Sequence, residues 1–231
     1  MVKLSKRYQA CIEAADLAQP LPLKEAVAEI YKMPVAKFDE TVEISAHLGV
    51  DPRQSDQMVR GTVNLPHGSG KKVTVLVFTE SAKEALDAGA EFAGLDDMIT
   101  KVQGGWLDFD VALATPKAMK EVRKISRLLG PRGLMPNPKS GTVTTTVDET
   151  VKAVKAGRVE FKMDKTANIH VVVGKRSFTP EKLVENAHIA IDALLNSRPA
   201  SFKGNFIKNM ALSATMTPSI RLHSDVFTKD A

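Results

Sequence analysis

Between Thr41 and Leu48 the apolar residues Val42, Ile44, Ala46 and Leu48 alternate without a break with Thr41, Glu43, Ser45 and His47. This is the period of a strand that buries one face and leaves the other free for work. After the turn DPRQSD, Val59, Gly61, Val63 and Leu65 alternate with Arg60, Thr62 and Asn64, which predicts a second strand near the first. Pro66, His67, Gly68, Ser69 and Gly70 then stop the pattern, as a domain boundary would.

Upstream, Ser5–Leu17 is predicted helical, with Ser5 as N-cap and Tyr8, Cys11, Ile12 and Ala15 on one side. Lys3, Lys6 and Arg7 stand at its start, where cations suit either solvent or a phosphate. Leu23–Lys32 forms a second helix, ended by Pro34.

Past Gly70 the texture changes, because Val73–Phe78 is a nearly continuous apolar run of the kind buried on both faces of a parallel sheet. Strand and helix then alternate: helix over Ser81–Ala88, strand over Glu91–Ala93, helix over Leu95–Val102, strand over Val111–Ala114. Thr115 and Pro116 suit the N-cap and first turn of a helix over Lys117–Leu129, with Gly130 closing it. GPRGLMPNPKSG, Gly130–Gly141, is dense in Gly and Pro and predicts a shaped loop, followed by a helix over Asp148–Ala156.

Strands are expected over Arg158–Lys162 and Ile169–Val173, joined by MDKTAN. Thr179 and Pro180 open a long helix with a wide apolar stripe from Leu183 to Leu195. A last strand near Phe206–Thr215 sets Met210, Leu212 and Ala214 against Asn209, Ser213 and Thr215. Neither chain end looks self-sufficient. The simplest fold is one α+β domain from both ends, residues 1–67 and 159–231, with a three-layer, Rossmann-like α/β domain inserted at residues 68–158. Two adjacent crossings, near Pro66–Lys71 and Gly157–Glu160, would make a hinge.

The 231 residues are 43% hydrophobic, enough for real cores, and a formal charge of +5 with pI near 9.2 mildly favours a polyanionic partner. Cys11 is the single cysteine, so no internal disulfide forms and the thiol is expected to act as a small buried hydrophobe. No signal-peptide core or membrane-length apolar run is present in the sequence, which predicts a cytoplasmic protein.

For an enzyme the residues offer little. Thr79, Glu80, Ser81 and Ala82 follow the run Val73–Phe78 where phosphate-cradling glycines would stand, and GSGK at Gly68–Lys71 precedes the strand instead. His47, His67, His170, His188 and His223 are scattered without metal-ligand spacing. No catalytic residue, metal site or cofactor is therefore assigned. A nucleotide-binding enzyme and a general basic RNA chaperone remain as rivals.

A binding surface is better supported. RNA recognition on a sheet uses aromatic faces for stacking, hydroxyls for ribose 2′-OH groups and cations for phosphates. Lys37, Phe38 and Thr41 offer all three beside one strand, although the parity of Phe38 matches the inward Val42 and Ile44 and equally predicts core. Thr215, Met216, Thr217 and Ser219 offer hydroxyls around one apolar chain, and Asp164, Lys165, Thr166 and His170 form a third polar cluster. The window Lys117–Lys139 is the most basic of the chain; it reads as a solvated helix face or as a weaker second nucleic-acid contact.

Long motifs then point to one family. KFDETVE at Lys37–Glu43, LGVDPRQSDQMVRGTVNLPHGSGK at Leu48–Lys71, ATPKAM at Ala114–Met119 and GPRGLMPNPKSGTV at Gly130–Val143 resemble the bacterial ribosomal protein L1 family. So do GRVEFKMDKTANIH at Gly157–His170, TPEKLVEN at Thr179–Asn186 and TMTPSIR at Thr215–Arg221, so that the resemblance spans essentially the whole chain. It implies a non-enzymatic protein of the mobile stalk of the large ribosomal subunit, without a required cofactor and monomeric off the ribosome. It implies binding to large-subunit ribosomal RNA, help in releasing deacylated tRNA from the exit site, and repression of its own operon through the messenger RNA. By motif position the RNA surface would include Lys37, Phe38, Thr41, Lys165, Thr166, Thr215, Met216 and Ser219. Thr217 departs from the family's usual glycine, and the added side chain is expected to alter RNA affinity there.

Overall fold

The computed structural model describes residues 4–15, 17 and 19–227, so Lys3 lies outside the described residues. The chain forms two compact units, Met1–Gly70 with Val159–Ala231, and Lys71–Arg158.

The first unit opens with α1 (Lys6–Ala14), α2 (Leu23–Lys32), β1 (Thr41–Leu48) and β2 (Arg60–Asn64). The second contains β3 (Val75–Phe78), α3 (Ala82–Asp87), β4 (Phe92–Gly94), α4 (Asp96–Gln103), β5 (Val111–Ala114), α5 (Met119–Val122), α6 (Ser126–Leu129) and α7 (Val147–Ala156). The chain returns through β6 (Arg158–Lys162), β7 (Asn168–Lys175), α8 (Pro180–Asn196), β8 (Ile207–Ala214) and β9 (Ile220–Arg221).

In the first unit the main sheet has the order β7-β1-β8-β9. β1 runs antiparallel to both neighbours, and its alternation appears as a strict inside-outside pattern of burial. Its buried side, Val42, Ile44, Ala46 and Leu48, joins one core with Val27 and Ile30 of α2 and Leu183, Ala187, Ile191 and Leu194 of α8. Burying such side chains is worth ~1.5–3 kcal/mol each before the entropy of ordering is counted. Cys11 lies in the same core as a free thiol. Ser5 caps α1 by accepting from the Tyr8 N–H at 3.3 Å, but the helix stops at Ala14, where the chain turns extended, short of the predicted Leu17.

The predicted neighbour of β1 is displaced: β2 pairs with β6 in a separate two-stranded sheet. The reason is steric fit as well as pattern. A Cβ at Gly61 would sit 2.7 Å from Cζ of Phe161, so the glycine lets that buried ring lie across β2. The short β9, which the sequence pattern did not reveal, covers the far edge of β8.

The second unit carries a parallel sheet of order β4-β3-β5, and all four residues of β3 are buried. Leu76 and Phe78 pack with Val102, Val122, Ile125 and Leu129 on one side, whereas Val75 and Val77 pack with Ala85, Val151 and Val154 on the other. The helix expected over Lys117–Leu129 is broken into α5, a 3-10 turn at Arg123–Ile125, and α6. The backbone leaves regular helical geometry at Ile125, with φ −101° and ψ 10°. Ala118, Val122, Ile125 and Leu129 still keep an apolar stripe. Gly130 is not a left-handed cap, since its φ is −58°; the left-handed glycines of this loop are Gly133, with φ 73°, and Gly141, with φ 62°. Likewise Thr179 has the extended backbone of an N-cap, but its side chain makes no capping bond.

Candidate nucleic-acid interface

The outward residues of β7, β1 and β8 form a polar grid because the registers align them. Glu43 stands between Val172 and Ser213, Ser45 between His170 and Ala211, and His47 between Asn168 and Asn209. Arg221 of β9 lies beside Ala211. Ser45 Oγ and His170 Nδ1 are 3.0 Å apart, and His47 Nδ1 meets Asn168 Oδ1 at 2.8 Å. The face offers hydroxyls, amides and imidazoles on a hydrogen-bonded sheet.

At one end of this grid, the loop before β1 meets the loop after β8. The Thr41 N–H donates to Thr215 Oγ1 at 2.9 Å, and that hydroxyl returns a 3.3 Å bond to the Thr41 carbonyl. Lys175 Nζ donates to Thr41 Oγ1 at 2.8 Å, placing a cation in the same corner. Phe38 is 51% exposed and Met216 46% exposed. The expectation of a core position for Phe38 therefore fails: the strand begins only at Thr41, and the inward parity of Val42 does not extend back through the loop. A groove of about 470 Å³ runs beside Phe38, lined in part by Tyr31, Val35 and Lys37. Lys37 and Ser219 are exposed.

Thr217 does not present its hydroxyl to the surface. Its Oγ accepts from the Ala214 N–H at 3.0 Å and faces the Ala214 carbonyl at 3.3 Å, so the side chain closes the turn that carries Thr215 and Met216. Among described residues other than glycine only Ala167 has a positive φ, so this backbone position does not require a glycine.

The cluster Asp164, Lys165 and Thr166 lies at the other end of the grid. His47, not Thr41, pairs with Asn168 at the start of β7, and the span from Thr41 to His47 is about 20 Å at strand rise. Asp164 shapes this loop: its Oδ1 accepts from the N–H groups of Asn168 and Thr166, each at 2.8 Å, and Oδ2 accepts from Thr166 Oγ1 at 2.7 Å. These bonds, the Asn168 N–H foremost and the Thr166 hydroxyl next, hold the carboxyl ionised and bring its pKa down to about 2. Lys165 and Thr166 are exposed on the loop, and His170 lies between the two ends.

Of the predicted residues, then, Lys37, Phe38, Thr41, Thr215, Met216, Thr217 and Ser219 gather at one end, and Asp164, Lys165 and Thr166 at the other. Glu43, His47, Asn168, Lys175, Asn209, Ser213 and Arg221 share the same face without having been singled out. Outward parity already sets Glu43, His47, Asn209 and Ser213 on the polar faces, whereas Asn168, Lys175 and Arg221 need the pairing of β7 and β9.

Among the described residues no group of three or more His, Cys, Asp or Glu side chains is placed to hold a metal ion, and no helix is long and apolar enough to cross a membrane. The Gly68–Lys71 stretch is fastened rather than open: Asn186 Nδ2 donates to the Gly68 carbonyl at 3.1 Å, and a Cβ at Gly70 would meet Lys175 at 2.7 Å.

The unit formed by both chain ends thus displays a long polar sheet surface, with an exposed aromatic and cations at its margin. Residues 28–218 match the ribosomal protein L1p/L10e family. The large ribosomal subunit protein uL1 of Kosmotoga olearia is 51% identical over 224 residues, 96% of this chain and 97% of that protein. The large ribosomal subunit protein uL1 of Saccharopolyspora erythraea is 51% identical over 222 residues, 95% of this chain and 93% of that one. The chain belongs to the ribosomal protein L1p/L10e family. It is a structural ribosomal protein and not an enzyme.

Proposed function

We propose that the protein is a constituent of the large ribosomal subunit in the cytoplasm and holds the stalk region of large-subunit ribosomal RNA on the outer face of the β7-β1-β8-β9 sheet. The convergence of Thr41, Lys175, Thr215, exposed Phe38 and exposed Met216 in one corner carries this reading. Phe38 stacks on a base, the Met216 chain packs on a sugar, and Lys37 and Lys175 approach phosphates. The Lys165–Thr166 loop takes the backbone at the far end, with Ser45, His47 and His170 between for ribose hydroxyls. The unit formed by the chain ends carries this site.

The protein has two further roles through RNA. The same face binds a similarly folded segment of the protein's own operon messenger RNA and so represses translation, and on the ribosome the protein assists departure of deacylated tRNA from the exit site. Off the ribosome it is a monomer. Competition binding at fixed salt tests the RNA reading. A stalk RNA fragment and the operon messenger fragment are expected to displace one another, and an unrelated duplex of equal length to displace neither. Equal affinity for all three would make the protein a general basic RNA binder and overturn the assignment. For the exit site, ribosomes lacking the protein should release deacylated tRNA more slowly, and an unchanged rate removes that role.

A further inference from the structure

Beneath the Phe38–Met216 corner lies an ionic chain that the polar face does not use. Glu40 is fully buried, with Oε2 held at 2.6 Å by Arg176 Nη1, and Arg176 is itself 6% exposed. The Arg176 N–H also donates to the Glu40 carbonyl at 2.8 Å. The other guanidinium arm of Arg176 is engaged by the carbonyls of Ile30 at 2.8 Å and Met33 at 2.5 Å, at the end of α2. Among the described residues Glu40 Oε1 has no hydrogen-bond partner, although it is buried; it faces Arg7 Nη1 of α1 at 3.6 Å, and that atom too is buried with no hydrogen-bond partner among them. Arg7 Nη2 reaches out of this pair to the carbonyl of Met216 at 2.8 Å.

We propose that Arg7 is a positioning residue for RNA binding, a two-pronged clamp that ties the Met216 loop to the buried Glu40 and thereby sets that loop against the loop carrying Phe38. The inference rests on the RNA reading above. Three observations support it. The planar fork of an arginine spans a carboxylate and a carbonyl at once, which the single ammonium of a lysine does not. Glu40 directly precedes Thr41, so a carboxylate fixed by Arg176 fixes the strand start to which Thr215 bonds. The longer approach on the Glu40 side leaves slack in the clamp: 3.6 Å exceeds a normal charged hydrogen bond, and a small shift of α1 would close it. RNA pressing on Met216 would drive that shift, so the clamp tightens as the ligand seats.

The test uses the full chain with Arg7→Lys and Arg7→Met. Two quantities are measured: hydrogen exchange of the Thr217 amide, which bonds the Ala214 carbonyl at 3.1 Å within the clamped loop, and affinity for the stalk RNA fragment. Both variants are expected to exchange faster at Thr217 while the β1 amides stay protected. Both should lose about tenfold in affinity, the equivalent of one charge-assisted hydrogen bond. A lysine variant that binds as tightly as the native protein would show that Arg7 acts only as a charge, and would overturn the proposal. So would unchanged Thr217 exchange, or faster exchange with undiminished affinity. If the native protein itself does not prefer stalk RNA, the RNA reading fails, whereas the exchange result still decides whether the clamp exists.

Discussion

Replacing Arg176 with methionine removes the partner that makes buried Glu40 tolerable, and the consequence can be worked through. Arg176 donates to the Glu40 carboxylate and to two carbonyls at the end of α2, and the pair is almost wholly out of water. Methionine fills much of the space but donates nothing. Among the described residues the Glu40 carboxylate would then face only Arg7, 3.6 Å away, and the variant should lose ~3–5 kcal/mol, the cost of breaking a buried pair from one side. Against a total stability of ~5–15 kcal/mol this is a large fraction. With a urea m-value of roughly 2 kcal/mol/M, a loss of about 4 kcal/mol lowers the midpoint by about 2 M. Exchange of the Ile44 and Ala46 amides in urea follows the first unit, and Trp106 fluorescence reports the second separately. The double variant Arg176→Met with Glu40→Leu removes the stranded charge and should recover at least half of the loss. A single variant costing under about 1 kcal/mol, or a double variant no better than the single, would refute the reasoning that the charge itself is what Arg176 offsets.

Phe38→Ala should weaken stalk RNA binding by ~1–3 kcal/mol, the value of one stacked base, with the unfolding midpoint unchanged because the ring is half exposed; a lower midpoint would mean the ring supports the fold instead. Thr217→Gly removes the hydroxyl that closes the Ala214 turn and adds backbone freedom, so RNA affinity should fall by about 1 kcal/mol in a filter-binding assay, and equal affinity would show that the turn does not limit binding. Gly61→Val puts side-chain atoms into the Phe161 ring, for which ~1–3 kcal/mol of destabilisation by urea titration is expected; a neutral result would mean the ring moves freely. Asp164 has a pKa lowered from 3.8 to about 2, so its contribution to stability is fully present above the unfolded pKa and is lost as pH falls through about 2. A carboxyl NMR titration should give a midpoint near 2 rather than 3.8, and Asp164→Asn should abolish this acid dependence.

Local periodicity gave β1, β8, α2 and α8 with small boundary errors, because each buries one continuous stripe and nothing distant changes that arithmetic. Pairing is a different matter. Val59, Val63 and Leu65 suit any sheet edge, and what sends β2 to β6 is the space that Gly61 leaves for Phe161, a relation across the inserted stretch. Phe38 was ambiguous for a related reason: parity is informative inside a strand and says nothing once the backbone leaves it. The buried ions were invisible to pattern altogether. Nothing in the local sequence marks Glu40 or Arg176, and only the return of β7 beside β1 brings the two together under the end of α2.

The sheet order explains why residues so far apart in sequence make one site. β1 is central and antiparallel to β8, so the entry of β1 at Thr41 must lie beside the exit of β8 at Ala214, and the two loops meet whatever their sequences. β7 is also antiparallel to β1, so the entry of β7, with Asp164, Lys165 and Thr166 before it, must lie at the opposite end. A ligand that touches both loop sets has to run along the strands for about 20 Å over Ser45, His47 and His170. An elongated RNA segment satisfies that demand and a mononucleotide does not. Mutating Lys165 and Phe38 together should therefore cost the sum of the single losses in affinity, since the two sites lie too far apart to share a contact, and a strong departure from additivity would mean they act on one nucleotide.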